Sequence, residues 1–354
     1  MGCCNSKPAM VALEDLDLGP LYLGPKAQYE FLNVDVTLLY QNSISNTRLL
    51  TSDVEAYYPQ LCEQYNKGYR MLTFYHIPCQ GQPRGFFKPG VITTFQGIFC
   101  RGPQQDSNQR YHLRVEKAII KVSVESSSLG CRSMRSSTVF DTSHIQQMID
   151  SYARDGARLV CIELTGQEER VTLQDNEFPY KGVDVFFEYP IDRVIETYTY
   201  NTVVVPIVVM YSFVNCIPHA DVSCDWQGNL DKHLKQGFRL VEIFMDSSYT
   251  SEVDCCSSRT SYHSKWYFEK PTSKMYDLTP VYEGKVIKHY IKVTGPTLSG
   301  VKTKTEWEPV MVAMGNNGWE LACILETANV TFTSMSTFYM QVLLFFQRKI
   351  YKAH

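Results

Sequence analysis

Hydrophobic and polar positions along the 354-residue chain repeat one pattern four times. An amphipathic stretch ends in a glycine, an aromatic or small residue and a polar residue follow, and a hydrophobic run comes next. The copies read YNKGYRMLTFY, YARDGARLVCIEL, HLKQGFRLVEIF and GNNGWELACIL. Their glycines, Gly68, Gly156, Gly237 and Gly318, lie about 80–90 residues apart, the signature of one supersecondary unit used several times.

Each repeat glycine closes a predicted helix. In the second copy Ile145, Met148, Ile149 and Tyr152 fall at i, i+3, i+4 and i+7, one helical face. Ser143 with Gln146 forms an S-x-x-Q cap, and Gly156 stands where a left-handed residue ends a helix. The fourth copy offers Thr305 with Glu308 as cap and box, and Trp307, Val310, Met311 and Met314 as its apolar face. Pro309 falls in the first turns, where a missing N–H costs least. In the first copy Ser52 pairs with Glu55, and Pro59 lies deep enough to kink the helix. The third is shortest, with Trp226, Leu230 and Leu234 before its glycine.

A strand follows each helix, then a loop, then a second strand ending in Phe plus Gln or Glu: VITTFQ, VDVFFE, KWYFE and VLLFFQRK. A long β-branched and aromatic run precedes each helix. The predicted class is α+β, four repeated β-α-β-β modules, each a small sheet covered by one helix. The boundaries are an anchor and tether at 1–25 and modules at 26–103, 109–190, 191–272 and 276–354. Modules this small bury little alone, so neighbours are expected to pack together.

Composition narrows the class. A hydrophobic fraction of 44% with 13% aromatics supports packed cores rather than global disorder. A net charge of −3 with scattered Lys and Arg gives no footprint for nucleic acid, so no direct nucleic-acid binding is expected. No secretory signal is visible. The longest apolar stretch, Val203–Val214, falls short of the roughly 20 residues that span a bilayer, is interrupted by Pro206 and Ser212, and reads as a buried strand. The 12 cysteines then face a reducing cytosol, where no disulfide framework is expected and the sequon at Asn329 stays unmodified.

Candidate chemistry is sparse. Cys216, His219 and Cys224 with the distant Cys255 and Cys256 lack the paired knuckles of a zinc site, so no metal is expected. Cys161 and Cys323 lie in hydrophobic runs and read as small core residues. His144 sits on a helix face beside core positions. No phosphate-binding loop, nucleophile elbow, kinase set or H-E-x-x-H appears, so no catalytic residue and no cofactor is expected and the chain reads as a non-enzyme.

The exception is the N-terminus. MGCCNS fits M-G-x-x-x-[ST], with Gly2 the myristoylation position and Ser6 closing the motif. One myristoyl chain binds membrane marginally, so a second signal is needed. Residues 1–20 hold Lys7 as their one cation against Glu14, Asp15 and Asp17, which leaves palmitate on Cys3, and on the adjacent Cys4, as that signal. Residues from Lys7 to about Pro25 are expected to act as a tether.

The start Met1-Gly2-Cys3-Cys4, the runs VEAYYPQLCEQYNKGYRMLTFYHIP and HIQQMIDSYARDGARLVCIEL, and the C-terminal EPVMVAMGNNGWELACILETANV with LLFFQRK resemble the raftlin family. The likeness runs over most of the chain. It implies a lipid-raft protein on the cytosolic face of the plasma membrane, held by myristate on Gly2 and palmitate on Cys3, that organises receptor signalling and uptake. Cys4 departs from the Met-Gly-Cys-Gly start of that family, and the family's long polar tail is not present after the last strand, so the chain is raftlin-like. The function expected is a lipid-anchored scaffold contacting membrane lipids and protein partners, receptors or adaptors. The competing expectation is a ligand-binding or enzymatic repeat protein with loops Ser126–Ser137 or Thr294–Thr305 as a pocket rim; a deep polar cleft would favour it.

Overall fold

The computed structural model describes residues 13–42, 47–83, 90–102, 110–129, 133–173, 176–192, 194, 196–214, 217–253, 257–297, 300–334 and 336–351. The first segment carries β1 (Gln28–Asn42), β2 (Thr47–Ser52), α1 (Tyr58–Asn66), β3 (Arg70–His76), the short β4 (Gln82–Pro83) and β5 (Val91–Arg101). The second carries β6 (Tyr111–Leu129), β7 (Ser133–Asp141), α2 (Ser143–Arg154), β8 (Arg158–Leu173) and β9 (Asn176–Pro190). The third carries β10 (Tyr198–Val214), β11 (Ile217–Ser223), α3 (Trp226–Leu234), β12 (Arg239–Val253) and β13 (Ser257–Pro271). The last carries β14 (Tyr282–Thr297), β15 (Gly300–Lys304), α4 (Glu308–Asn316), β16 (Glu320–Ser334) and β17 (Thr337–Lys349).

The expected α+β class, with four β-α-β-β modules each a sheet under its own helix, is corrected. The molecule is mostly antiparallel β, with four α-helices among the described residues. A strand that the hydrophobic pattern missed (β2, β7, β11 or β15) precedes each helix; β15, GVKTK, is too polar to register as an apolar run. The strands form three sheets, ordered β2-β1-β5-β3, β11-β10-β13-β12-β7-β6-β9-β8 and β15-β14-β17-β16, with β4 beside β5. Pairing of β7 with β12, from Thr138 opposite Tyr249 to Met134 opposite Val253, fuses the second and third segments into one eight-stranded sheet.

Nor does a helix serve only its own segment. Helix α1 packs on β6, α2 on β10, α3 on β14, and α4 returns to β1. The four apolar clusters follow the same plan, each drawing buried residues from two neighbouring segments. The last segment closes on the first: Ala27 donates its N–H to the Gly315 carbonyl at 3.0 Å, and Gly81 and Val301 exchange two backbone hydrogen bonds at 3.1 and 2.8 Å. A Cβ on Gly315 would stand 2.5 Å from the Ala27 carbonyl oxygen, so this approach requires glycine.

All four repeat glycines have positive φ, from 78° to 85°. After each, a backbone N–H returns to the carbonyl five residues earlier: Tyr69 to Gln64, Ala157 to Tyr152, Phe238 to His233 and Trp319 to Met314. This is the helix stop expected of a left-handed residue at that position. The expected caps differ. Ser143 lies inside α2, with its N–H bonded to Asp141 at 2.9 Å. Helix α4 begins at Glu308, which accepts from Gln96 at 2.6 Å, and Thr305 gives its carbonyl to His289. Pro59 lies in the first turn of α1 and kinks nothing. The stretch Val203–Val214 is half-buried rather than buried: Val205, Ile207 and Val209 point inward while Val204 and Met210 face water. No helix among the described residues is long and apolar enough to cross a membrane.

Strand registers sort the connections. Gln28 lies opposite Arg101, Tyr111 opposite Pro190, Tyr198 opposite Pro271 and Tyr282 opposite Lys349. The links between segments therefore gather at one end of the molecule, and the hairpin connections at the other.

Candidate functional site

At the link end, the residues two places after the repeat glycines, Arg70, Arg158, Arg239 and Glu320, open β3, β8, β12 and β16. These four strands meet around the middle of the molecule, β3 against β8, β8 against β12, β12 against β16 and β16 against β3. Their charges join a ladder across all four segments. Arg70 pairs with Glu188, its Nε 2.8 Å from Oε2. Arg158 reaches Glu188 at 3.7 Å and also pairs with Glu269. Arg239 bridges Glu269 at 2.8 Å and Glu320 at 2.7 Å. Tyr111 and Tyr198 stack on Arg70 and Arg158, at 4.3 and 4.4 Å from the ring centres.

Three cations and three anions cancel, which is what lets so many ionised groups sit out of water. Burial alone would raise the Glu269 carboxyl, but the guanidinium groups of Arg158 and Arg239 outweigh it and hold it at about 2. Burial lowers Arg70 to about 10, with Arg158 adding to the effect. The ladder is a structural clamp, since every charge in it is already answered by another.

Further along the same strands lies a cavity of about 350 Å³. Ile162, Leu164, Ile243, Phe244, Ile324 and Leu325 wall it, and Tyr75, Glu163, Glu242 and Glu326 supply its polar groups. Glu242 is buried and accepts the N–H groups of Ile162 at 3.2 Å and Ile243 at 2.7 Å. Burial nevertheless raises its carboxyl to about 7, against those two bonds. Glu163 is raised well above the usual carboxylate range by burial, with Glu242 and Glu326 adding repulsion. Glu326 sits at the solvent-exposed mouth and accepts from the Tyr75 hydroxyl at 3.1 Å. Such a cup can hold protons or attract a cation; it offers no activated nucleophile. The nearby thiols of Cys161 and Cys323 are pushed well up by burial and behave as the core residues expected of them.

Gly2, Cys3 and Cys4, the expected acylation positions, lie outside the described residues, as do Cys216, Cys255 and Cys256. No group of three or more His, Cys, Asp or Glu among the described residues is placed to hold a metal. The described part of the expected tether from Lys7 to about Pro25, residues 13–25, docks on the last segment. Asp17 pairs with Lys285 at 2.8 Å, and the Trp319 indole and Asn317 amide donate to the Leu18 carbonyl at 2.9 and 2.7 Å. Tyr22 donates its N–H to Asn317 at 2.9 Å, and the Arg348 guanidinium lies over the rings of both Tyr22 and Trp319. The physical cause is burial: Leu16 and Tyr22 are among the buried apolar residues.

The repeat glycines Gly68, Gly156, Gly237 and Gly318 come together at the link end as helix stops. The loops Ser126–Ser137 and Thr294–Thr305 fall in the hairpins β6–β7 and β14–β15 and do not line the cup. Its carboxylates went unread as a group. The one available signal was that Glu163, Glu242 and Glu326 interrupt otherwise apolar runs soon after repeat glycines. Compared with protein-family models, curated proteins and solved structures, the chain matches none. The likeness to raftlins therefore rests on the quoted residues alone.

Proposed function

We propose that the chain is a lipid-anchored scaffold on the cytosolic face of the plasma membrane, in raft-type membrane, organising receptor signalling or receptor uptake without catalytic chemistry of its own. The observation that carries this reading is the hexapeptide MGCCNS, in which Gly2 accepts myristate and Cys3, with Cys4 beside it, accepts palmitate. The docked segment supports it. Eleven residue steps separate Gly2 from Leu13, a reach of at most roughly 40 Å, so the body is held near the bilayer rather than on a long leash. A closed ring with a neutral charge ladder through its middle suits a rigid platform for protein partners. Membrane fractionation of the intact chain beside Gly2→Ala tests the reading: the intact chain is recovered with membranes and the variant is not.

The cup favours a second reading, a binding protein for a cationic group, in which the anchor supplies location. Titration with spermidine, followed as a rise in Tm, tests it. The wild type responds and Glu163→Gln with Glu242→Gln does not; equal responses would sink this reading.

A further inference from the structure

The link end of the molecule carries an apolar surface that the core does not use. Leu21, Leu23, Tyr276 and Leu278 are between 66% and 99% exposed, and Ile191 and Tyr351 are more than half exposed. They come from four places in the sequence, yet the fold brings them to one end. Three of these links run over the repeat glycines: a Cβ on Gly156 would meet Val194, one on Gly237 the Thr279 carbonyl, and one on Gly318 the Tyr22 ring. Tyr22 in turn packs edge-on against Tyr351 at 6.2 Å. The patch is thus a property of the whole ring, presented by links that its helix stops hold in place.

We infer that this end is a membrane-docking face, whose exposed Leu and Tyr side chains enter the headgroup and upper acyl region of a bilayer. The inference rests on the anchored reading above. Two observations select lipid as the occupant. First, residues 1–12, with MGCCNS, precede Leu13, which is 53% exposed on the segment docked at this end. Acyl groups on a lead of eleven residue steps let this end reach the membrane. Second, this end carries two ion pairs, Asp17 with Lys285 and Arg110 with Asp192, beside the exposed Lys26, Lys67, Lys274 and Lys349. The three-carboxylate cup lies a few residues further along the strands than the ladder. Exposed aromatic and aliphatic side chains flanked by lysines match interfacial insertion, with apolar burial below and the ammonium groups at headgroup level.

Quenching by brominated lipid tests the orientation. Acylated full-length chain carrying Tyr276→Trp, or Val253→Trp at the hairpin end, is bound to phosphatidylcholine–cholesterol vesicles. Of the four native tryptophans, Trp266, Trp307 and Trp319 are buried and Trp226 is partly buried; both variants share all four, so they give a common background. The Tyr276→Trp protein gains quenching that the Val253→Trp protein does not. Equal quenching on vesicles that do sediment the protein overturns the docking face, leaves the anchor standing and points to a protein partner as the cover. Failure to sediment overturns the anchored reading and this face with it. Leu21→Asp with Leu278→Asp, which leaves the core untouched, lowers the vesicle-binding constant about tenfold or more. An unchanged constant overturns the inference.

Discussion

Glu242 shows how a single residue sets a condition on the molecule. Its carboxyl is ionised near 4.5 in an unfolded chain and near 7 in the fold, because burial outweighs two backbone hydrogen bonds. The folded chain therefore holds this proton more tightly. The resulting stability is fully present below about pH 4.5 and is lost as pH rises through 7, a term on the order of 3 kcal/mol. Thermal unfolding between pH 5 and pH 8 checks this: the Tm of the wild type falls across that range, and Glu242→Gln flattens the fall. A variant with the same slope as the wild type would refute the assignment. This behaviour was not legible beforehand. A glutamate in VEIF reads as the polar side of a strand, and only the meeting of four strands makes it a buried acid. The ladder was half legible in the same way: a polar residue after each glycine and a Gln or Glu after each Phe run stood in the sequence, while their pairing across segments did not.

Among the elements, the helices were the most readable because their stop signal is local. A glycine with positive φ and a returning N–H needs no knowledge of the rest of the chain, and the apolar face Trp307, Val310, Met311 and Met314 is buried as its spacing required. The strands before the helices were missed because they are short or polar, β15 above all, although β7 and β11 do place Phe140 and Val222 against the core. The glycines separate two costs. At Gly68 a Cβ would meet Arg101 at an ordinary 3.5 Å, so Gly68→Ala carries backbone strain alone, about 1–2 kcal/mol. At Gly318 a Cβ would fall 2.1 Å from the Tyr22 ring, so Gly318→Ala must also displace the docked N-terminal segment and costs at least about 1 kcal/mol more. Urea unfolding of the two variants measures the difference; equal losses would mean that the segment is not held there.

For the whole molecule, the arrangement of the segments decides what the protein is suited to. The repeat was visible in the sequence, and it suggested modules in which each helix covers its own sheet. Instead each helix lies on the following segment's first strand, and the last returns to the first. Partner choice between segments leaves no periodic mark in one sequence, because any apolar face can serve either neighbour. The ring gathers the links and the docked segment at one end, with the carboxylate cup further along the strands. On the proposed reading, such a body serves as a platform positioned by the anchor at Gly2 and Cys3. The most direct measurement is flotation of the intact chain from cells beside Gly2→Ala and Cys3→Ser/Cys4→Ser. The account predicts that the intact chain floats with detergent-resistant membrane, that Gly2→Ala is recovered as unbound protein, and that the cysteine pair loses stable association. Gly2→Ala floating with membranes like the intact chain would contradict it.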